Sequence, residues 1–146
     1  GIISPLGLLY RAERLRNSSR IIVDNFSGQI PSTKKELKSL PGVGDYIADA
    51  VLCYGFNKNT VPVDTNIIRL FTRFYNFKSE NKRKRNDKKL MKKIKNKYDI
   101  SNYREANFAV LDFSSDICTA RNPQCKNCCL NKKCSYYIDR SEIDEQ

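Results

Sequence analysis

An all-α fold is predicted by three observations: apolar residues return at three- and four-residue spacing along most of the chain, no segment alternates as a half-buried strand does, and capping residues, Gly and Pro punctuate the periodic runs. The first run starts at Tyr10 and spaces Ala12, Leu15, Ile22 and Phe26 along one amphipathic helix, with Gly28 and Pro31 as its stop. Thr33 and Glu36 then read as a capping box for a short helix that carries Leu37. After the turn Leu40-Pro41-Gly42-Val43-Gly44, a helix from Asp45 to Tyr54 sets Ile47, Ala50, Val51 and Tyr54 on one face. The outline is helix, hairpin turn, helix.

Gly55 to Thr60 is a polar turn, and Pro62 restricts the residue before it, so the next helix begins near Asp64 and buries Ile67, Leu70, Phe71 and Phe74. Residues 81–97 are strongly basic and end in a helix whose inner stripe is Leu90, Met91, Ile94 and Tyr98. Asn102 to Phe113 reads as the last long helix, and a cysteine-rich loop follows directly. These patterns divide the chain into a helical part, 1–113, and a cysteine loop with a C-terminal tail, 114–146.

The 146 residues suffice for a smaller domain plus a metal-closed appendix. With 27 Lys and Arg against 16 Asp and Glu, the net charge of +11 favours a polyanionic partner, nucleic acid first. No run approaches the roughly 18 apolar residues of a membrane span, and the start lacks a basic segment followed by an apolar signal core. A soluble, intracellular, monomeric protein of cytoplasm or nucleoid, with no membrane association, is expected. There is no histidine, which excludes His-based acid–base chemistry and Cys2His2 zinc sites.

Cys118, Cys125, Cys128 and Cys134 stand at the spacing C-x6-C-x2-C-x5-C, which lets one loop close four thiolates around a metal centre. Softness alone leaves tetrahedral zinc and a 4Fe-4S cluster open, although zinc sites more usually show two C-x2-C knuckles. Cys129 is an extra thiol beside the set, and Cys53 reads as a small core residue.

Gly42 and Gly44 permit positive backbone dihedrals and let a phosphate approach without a Cβ in the way, while the helix after them offers free N–H groups and its positive dipole end. Leu40 and Val43 pack the turn from beneath. Asp64, at the head of its helix, reads first as an N-cap.

Leu40-Pro41-Gly42-Val43-Gly44, an apolar helix, Val63-Asp64-Thr65-Asn66 and the cysteine spacing, in that order, resemble the helix-hairpin-helix DNA glycosylases of the endonuclease III and MutY type over roughly residues 5–138. The resemblance implies base excision repair of double-stranded DNA, with the mispaired or damaged base flipped beside a catalytic aspartate. Asp64 falls on that aspartate, where a carboxylate aimed by helix amides stabilises the charge developing on the sugar rather than donating a proton. Leu40, Gly42, Val43, Gly44 and Asn66 are carried over as DNA-binding residues, and the four spaced cysteines as ligands of a 4Fe-4S cluster.

Two residues after Gly44, bifunctional members carry a lysine that attacks the sugar, whereas this chain has Tyr46. A tyrosine cannot form the imine, so a monofunctional enzyme without lyase activity is expected, with Tyr46 lining the base pocket. Tyr46 and Asn66 resemble both archaeal thymine-DNA mismatch glycosylases and some adenine glycosylases. Thr65 is like endonuclease III, and only 12 residues follow Cys134, too few for the added domain by which MutY enzymes read 8-oxoguanine. Thymine or uracil opposite guanine is therefore favoured, with adenine opposite guanine or 8-oxoguanine as the alternative.

Ten of the 16 residues from Lys82 to Lys97 are Lys or Arg, and the run reads as a solvated helix face plus a mobile loop. Beginning at Gly1, the chain enters the family pattern midway, so a helical bundle lacking its N-terminal part is expected. From other classes, a non-catalytic DNA-binding fragment and a zinc-ribbon interaction protein compete with the enzyme.

Overall fold

A computed structural model describes residues 9–98 and 101–144, and these form two compact units, Gly1–Pro62 and Val63–Gln146. Among the described residues the secondary structure is entirely helical, as the periodicity predicts, with seven α-helices and short 3-10 and π turns. None of those helices is long and apolar enough to cross a membrane.

In the first unit, α1 spans Leu9–Phe26, α2 Lys34–Leu37 and α3 Asp45–Ala50, which continues as a π-helical turn over Val51–Gly55. The stop after α1 is as predicted: Ser27 and Gly28 take φ of 53° and 77°, and the Gly28 amide donates to the Ile22 carbonyl in a Schellman-type closure. Only the C-terminal half of the predicted stripe is used. Ile21, Ile22 and Phe26 pack on a core of Leu37, Leu40, Ala48 and Leu52, whereas Leu15 is 57% exposed.

Thr33 caps α2 by accepting the Glu36 amide, but the Glu36 carboxylate takes up the Thr33 hydroxyl at 2.6 Å, so the box closes side chain to side chain. The inward face of α3 differs from the apolar count. Ala48, Asp49, Leu52 and Cys53 are buried, while Ile47 is exposed. Two physical causes turn the helix: the π turn widens the spiral from Val51 on, and Lys34 holds the buried Asp49 carboxylate at 2.7 Å, making a polar residue admissible inside. Burial acts to lower the Lys34 pKa, but the hydrogen bond and charge of Asp49 outweigh it, and the net direction is upward.

In the second unit, α4 (Thr65–Phe74) packs against α5 (Lys88–Lys95), α6 (Tyr103–Asp116) and α7 (Ser135–Asp144). Its core is Ile67, Ile68 and Phe71 with Leu90, Ile94 and Tyr98, close to the residues the periodicity selects, and the Phe71 ring stacks on Tyr98 at 5.3 Å. The sequence predicts a C-terminal tail after the cysteines, and helix α7 lies there instead. Its few apolar residues carry little periodic signal, and tertiary contacts anchor it: Ser135 donates to the Phe74 carbonyl, and Tyr136 lies beneath Arg73 and Arg140.

The segment between α4 and α5 is tied down by Asp87. This buried carboxylate caps α5 through the Leu90 amide at 3.0 Å and also takes up the Ser79 hydroxyl and the Glu80 amide. The Leu90 amide first, then Ser79, holds the Asp87 carboxyl below its ordinary pKa. A depressed carboxyl stabilises the fold above its unfolded value and loses that contribution as pH falls through the folded one. The stability of the wild-type chain in urea unfolding is therefore expected to fall below about pH 4. In Asp87→Asn part of that acid-limb loss should be absent, and the variant should be less stable than wild type near pH 7, where the charged carboxylate contributes.

Candidate functional site

The hairpin turn belongs to the first unit. Leu40 is buried and accepts the Val43 amide at 3.1 Å, Val43 packs on the core beneath, and Gly42 has φ of 82°, a conformation that excludes most side chains. Gly44 differs from expectation. It caps α3 with φ of −95°, so it needs no positive dihedral, and nothing lies within 4 Å of the space a Cβ would fill. What this glycine contributes is an uncovered backbone at the start of α3. Asp45 places a carboxylate there, but Lys38 at 2.9 Å and Lys34 at 3.5 Å neutralise it, and the Lys38 hydrogen bond leads in drawing its pKa down. Tyr46 is 49% exposed on the outer face of α3, next to the exposed Ile47.

Asp64 and Asn66 belong to the second unit and are joined directly. Asp64 caps α4, as its position predicts: Oδ1 accepts the amides of Asn66 and Ile67 at 2.9 and 2.8 Å, and Oδ2 accepts Asn66 Nδ2 at 2.9 Å. The carboxylate is thus aimed by three donors while remaining half-exposed. Asn66 in turn accepts Arg69 Nη1 at 2.8 Å, and Arg69 extends its other nitrogens to the carbonyls of Cys118 and Ser114 at 2.8 and 2.7 Å. One turn on, Arg73 donates to the carbonyls of Thr119 and Ala120 and approaches Cys118 Sγ at 3.5 Å. Neither arginine stood out in the sequence, where only the apolar face of α4 carried a periodic signal. The visible cue was the i, i+4 pair of forked cations on a helix preceding a cysteine loop.

Cys118, Cys125, Cys128 and Cys134 line one cavity, walled by Leu70, Phe74, Phe113, Ile117 and Leu130 among others. They surround this space rather than converge on a point: among the described residues no three carboxylate or thiol side chains are gathered closely enough to hold one metal ion. Burial first, then the charges of the neighbouring thiolates, pushes the Cys125 thiol up; burial also leads in raising Cys128. A cationic centre relieves both effects, and two donors already address the sulfurs, Arg73 on Cys118 and the Leu130 amide on Cys128 at 3.4 Å. Cys129 is exposed and outside the lining, and Cys53 is fully buried in the first unit.

The model for the HhH-GPD superfamily of base excision DNA repair proteins matches residues 1–96. A thymine/uracil-DNA glycosylase of Pyrobaculum aerophilum is 40% identical over 146 residues, an alignment covering 97% of this chain and 64% of that protein. Among solved structures, a thermostable thymine-DNA glycosylase superposes with a TM-score of 0.82 at 35% identity, over 89% of this chain and 59% of that one. A non-covalent endonuclease III–DNA complex gives 0.73 at 26% identity, over 92% and 62%. The chain therefore spans about three-fifths of the length of these relatives.

Arg69→Leu removes three charge-assisted hydrogen bonds and leaves the Ser114 and Cys118 carbonyls short of a donor. A stability loss of about 2–4 kcal/mol is expected in urea unfolding, with faster proteolytic cleavage near residues 117–124, and Arg69→Lys should recover only part of it because an ammonium cannot span the fork.

Proposed function

Because the chain belongs to the HhH-GPD superfamily of base excision DNA repair proteins, we propose that it acts on double-stranded DNA as a monofunctional glycosylase, hydrolysing the N-glycosidic bond of a thymine or uracil opposite guanine. The observation that carries this reading is the Asp64 carboxylate. Its oxygens are oriented by the amides of Asn66 and Ile67 and by the Asn66 side chain, and Oδ2 keeps acceptor capacity beyond its single donor. As the bond to the base lengthens, positive charge grows on the sugar, and a carboxylate fixed in place stabilises it without reorganising. Water then adds to the sugar, because Tyr46 supplies no amine for a covalent intermediate.

Tyr46, exposed beside the hairpin, offers a flat amphipathic surface for an extruded base. Leu40, Gly42, Val43 and Gly44 supply the sequence-neutral hold on the phosphate backbone through the open turn and the amides behind it, with Asn66 as a further DNA contact. The preference for thymine or uracil leans on the 40% identity to the Pyrobaculum enzyme. Adenine opposite guanine or 8-oxoguanine is the second reading, because Tyr46 and Asn66 resemble some adenine glycosylases as well as thymine-DNA mismatch glycosylases. The protein works as a soluble intracellular monomer in this account.

The four cysteines fit a 4Fe-4S cluster. The C-x6-C-x2-C-x5-C spacing, the one apolar cavity that the four sulfurs line and the N–H donors on Cys118 and Cys128 support a 4Fe-4S cluster as the bound centre. Its contribution when bound is to close the loop from Cys118 to Cys134 as a rigid cage.

Two experiments test these readings, each on the chain and on any longer protein that contains it. Labelled duplexes holding G:T, G:U, G:A or 8-oxoG:A are scored for strand breaks with and without hot alkali. Alkali-dependent breaks at G:T or G:U are expected, falling a hundredfold or more (on the order of 10²) in Asp64→Asn while duplex binding persists. Breaks without alkali overturn the monofunctional assignment, and breaks at G:A or 8-oxoG:A alone select the second reading. For the metal, anaerobically purified protein is expected to contain iron and acid-labile sulfide in equal amounts, lost in Cys125→Ser; zinc without iron or sulfide refutes the cluster.

A further inference from the structure

Along the flank of α4, from Thr65 beside Asp64 to Asn76 past the helix end, runs an open groove of about 1070 Å³. Six cations line it: Arg69, Arg73, Lys78, Arg83, Lys84 and Arg85. Asp139 is the one carboxylate among the lining residues. Arg69 and Arg73 are fastened to backbone carbonyls but keep their charge, while no carboxylate among the described residues pairs with Lys78, Arg83, Lys84 or Arg85. The acidic residues nearby face elsewhere. Glu80 pairs with Lys89 at 3.2 Å, and Asp87 is buried against Ser79, Glu80 and Leu90.

A basic run is ordinarily a solvated and mobile face, which is how the sequence reads. The structure separates this one into two parts. Lys88, Lys92 and Lys93 project from the outside of α5, as a solvated face does. Arg83, Lys84 and Arg85 instead lie on or beside a 3-10 turn, Lys84–Asn86, whose following residue Asp87 staples it to Ser79 and to the start of α5. The backbone that carries these cations is thus fixed before any partner arrives, which leaves only their exposed side chains to be ordered on binding.

We propose that this groove is a second phosphate-backbone site, distinct in the chain from the hairpin turn, which takes up one strand of duplex DNA along α4. The groove is too large and open for a single inorganic phosphate, and α4 is roughly 15 Å long, room for about two or three successive phosphates along one strand. It ends at the residue after Asp64, so a strand lying in it is led toward that carboxylate. The choice of DNA as the polyanion rests on the function proposed above. The grip is sequence-neutral, since the groove presents charge rather than a pattern matched to base edges.

The test compares three proteins: wild type, Arg83→Gln/Lys84→Gln/Arg85→Gln, and a charge-matched control, Lys88→Gln/Lys92→Gln/Lys93→Gln. All six side chains are exposed, so each variant retains the fold. Binding to an undamaged duplex is titrated across salt, and uracil excision from a G:U duplex is followed on the same samples. If each groove residue engages one phosphate, the slope of log K against log salt shrinks by about 2.7 in the groove variant, and by less than half as much in the control. Equal changes in the two variants, no change in the groove variant, or no duplex binding by the wild type overturns the proposal. A groove-specific loss with no excision by any protein keeps this site and removes the glycosylase reading; excision with matched salt slopes does the reverse.

Discussion

The carbonyl oxygens of Ser114, Cys118, Thr119 and Ala120 leave the end of α6 and the start of the cysteine loop without a helix or sheet to receive them, and the guanidinium groups of Arg69 and Arg73 take them up. Irregular backbone can be packed against a core only when such groups find donors, because an orphaned carbonyl costs about as much as a lost hydrogen bond. A forked cation is well suited to the task, since one side chain satisfies two or three acceptors in fixed geometry. The position of Cys118, and with it the first corner of the cysteine cage, follows from these two side chains.

Helix α4 therefore does three jobs with different faces and ends. Its apolar face, Ile67, Ile68 and Phe71, supplies the core of the second unit. Its polar flank carries the arginines, and its first turn is closed by Asp64, the residue proposed to do the chemistry. Asn66 links the last two, accepting from Arg69 and donating to Asp64. Because a helix of this length is stiff, the carboxylate, the amide and the loop anchors keep their mutual spacing without further support.

The first unit meets its constraint differently. Helix α2 is one turn long and cannot persist on propensity, so it depends on the core of Leu37, Leu40, Ala48 and Leu52 and on the Lys34–Asp49 pair. The turn at 41–44 is held from below by that core and flanked by α1, where Ser18 donates to the Pro41 carbonyl and Arg14 lies beside Gly42, which leaves the backbone at Gly44 uncovered. Gly42 is required by its backbone conformation, whereas Gly44 is required by neither conformation nor packing and leaves the backbone before α3 open, so two glycines that look alike in the sequence differ in the structure.

The chain alone was enough to read the all-helical class, the hairpin, the caps at Thr33 and Asp64, the core stripes of α4 and α5, and the four-cysteine spacing, because each is written in residues a few positions apart. Other features needed the tertiary structure. Burial of Asp49 depends on Lys34 arriving from another helix, the inward face of α3 depends on a π turn, and α7 depends on contacts with Arg73 and Phe74. The roles of Arg69 and Arg73 are set by carbonyls more than 40 residues away, with separations of 45 to 49 for the bonds to Ser114, Cys118, Thr119 and Ala120. Local periodicity records which side of a helix is apolar. Which distant backbone a polar side chain satisfies is decided only when the packed chain brings that backbone within reach.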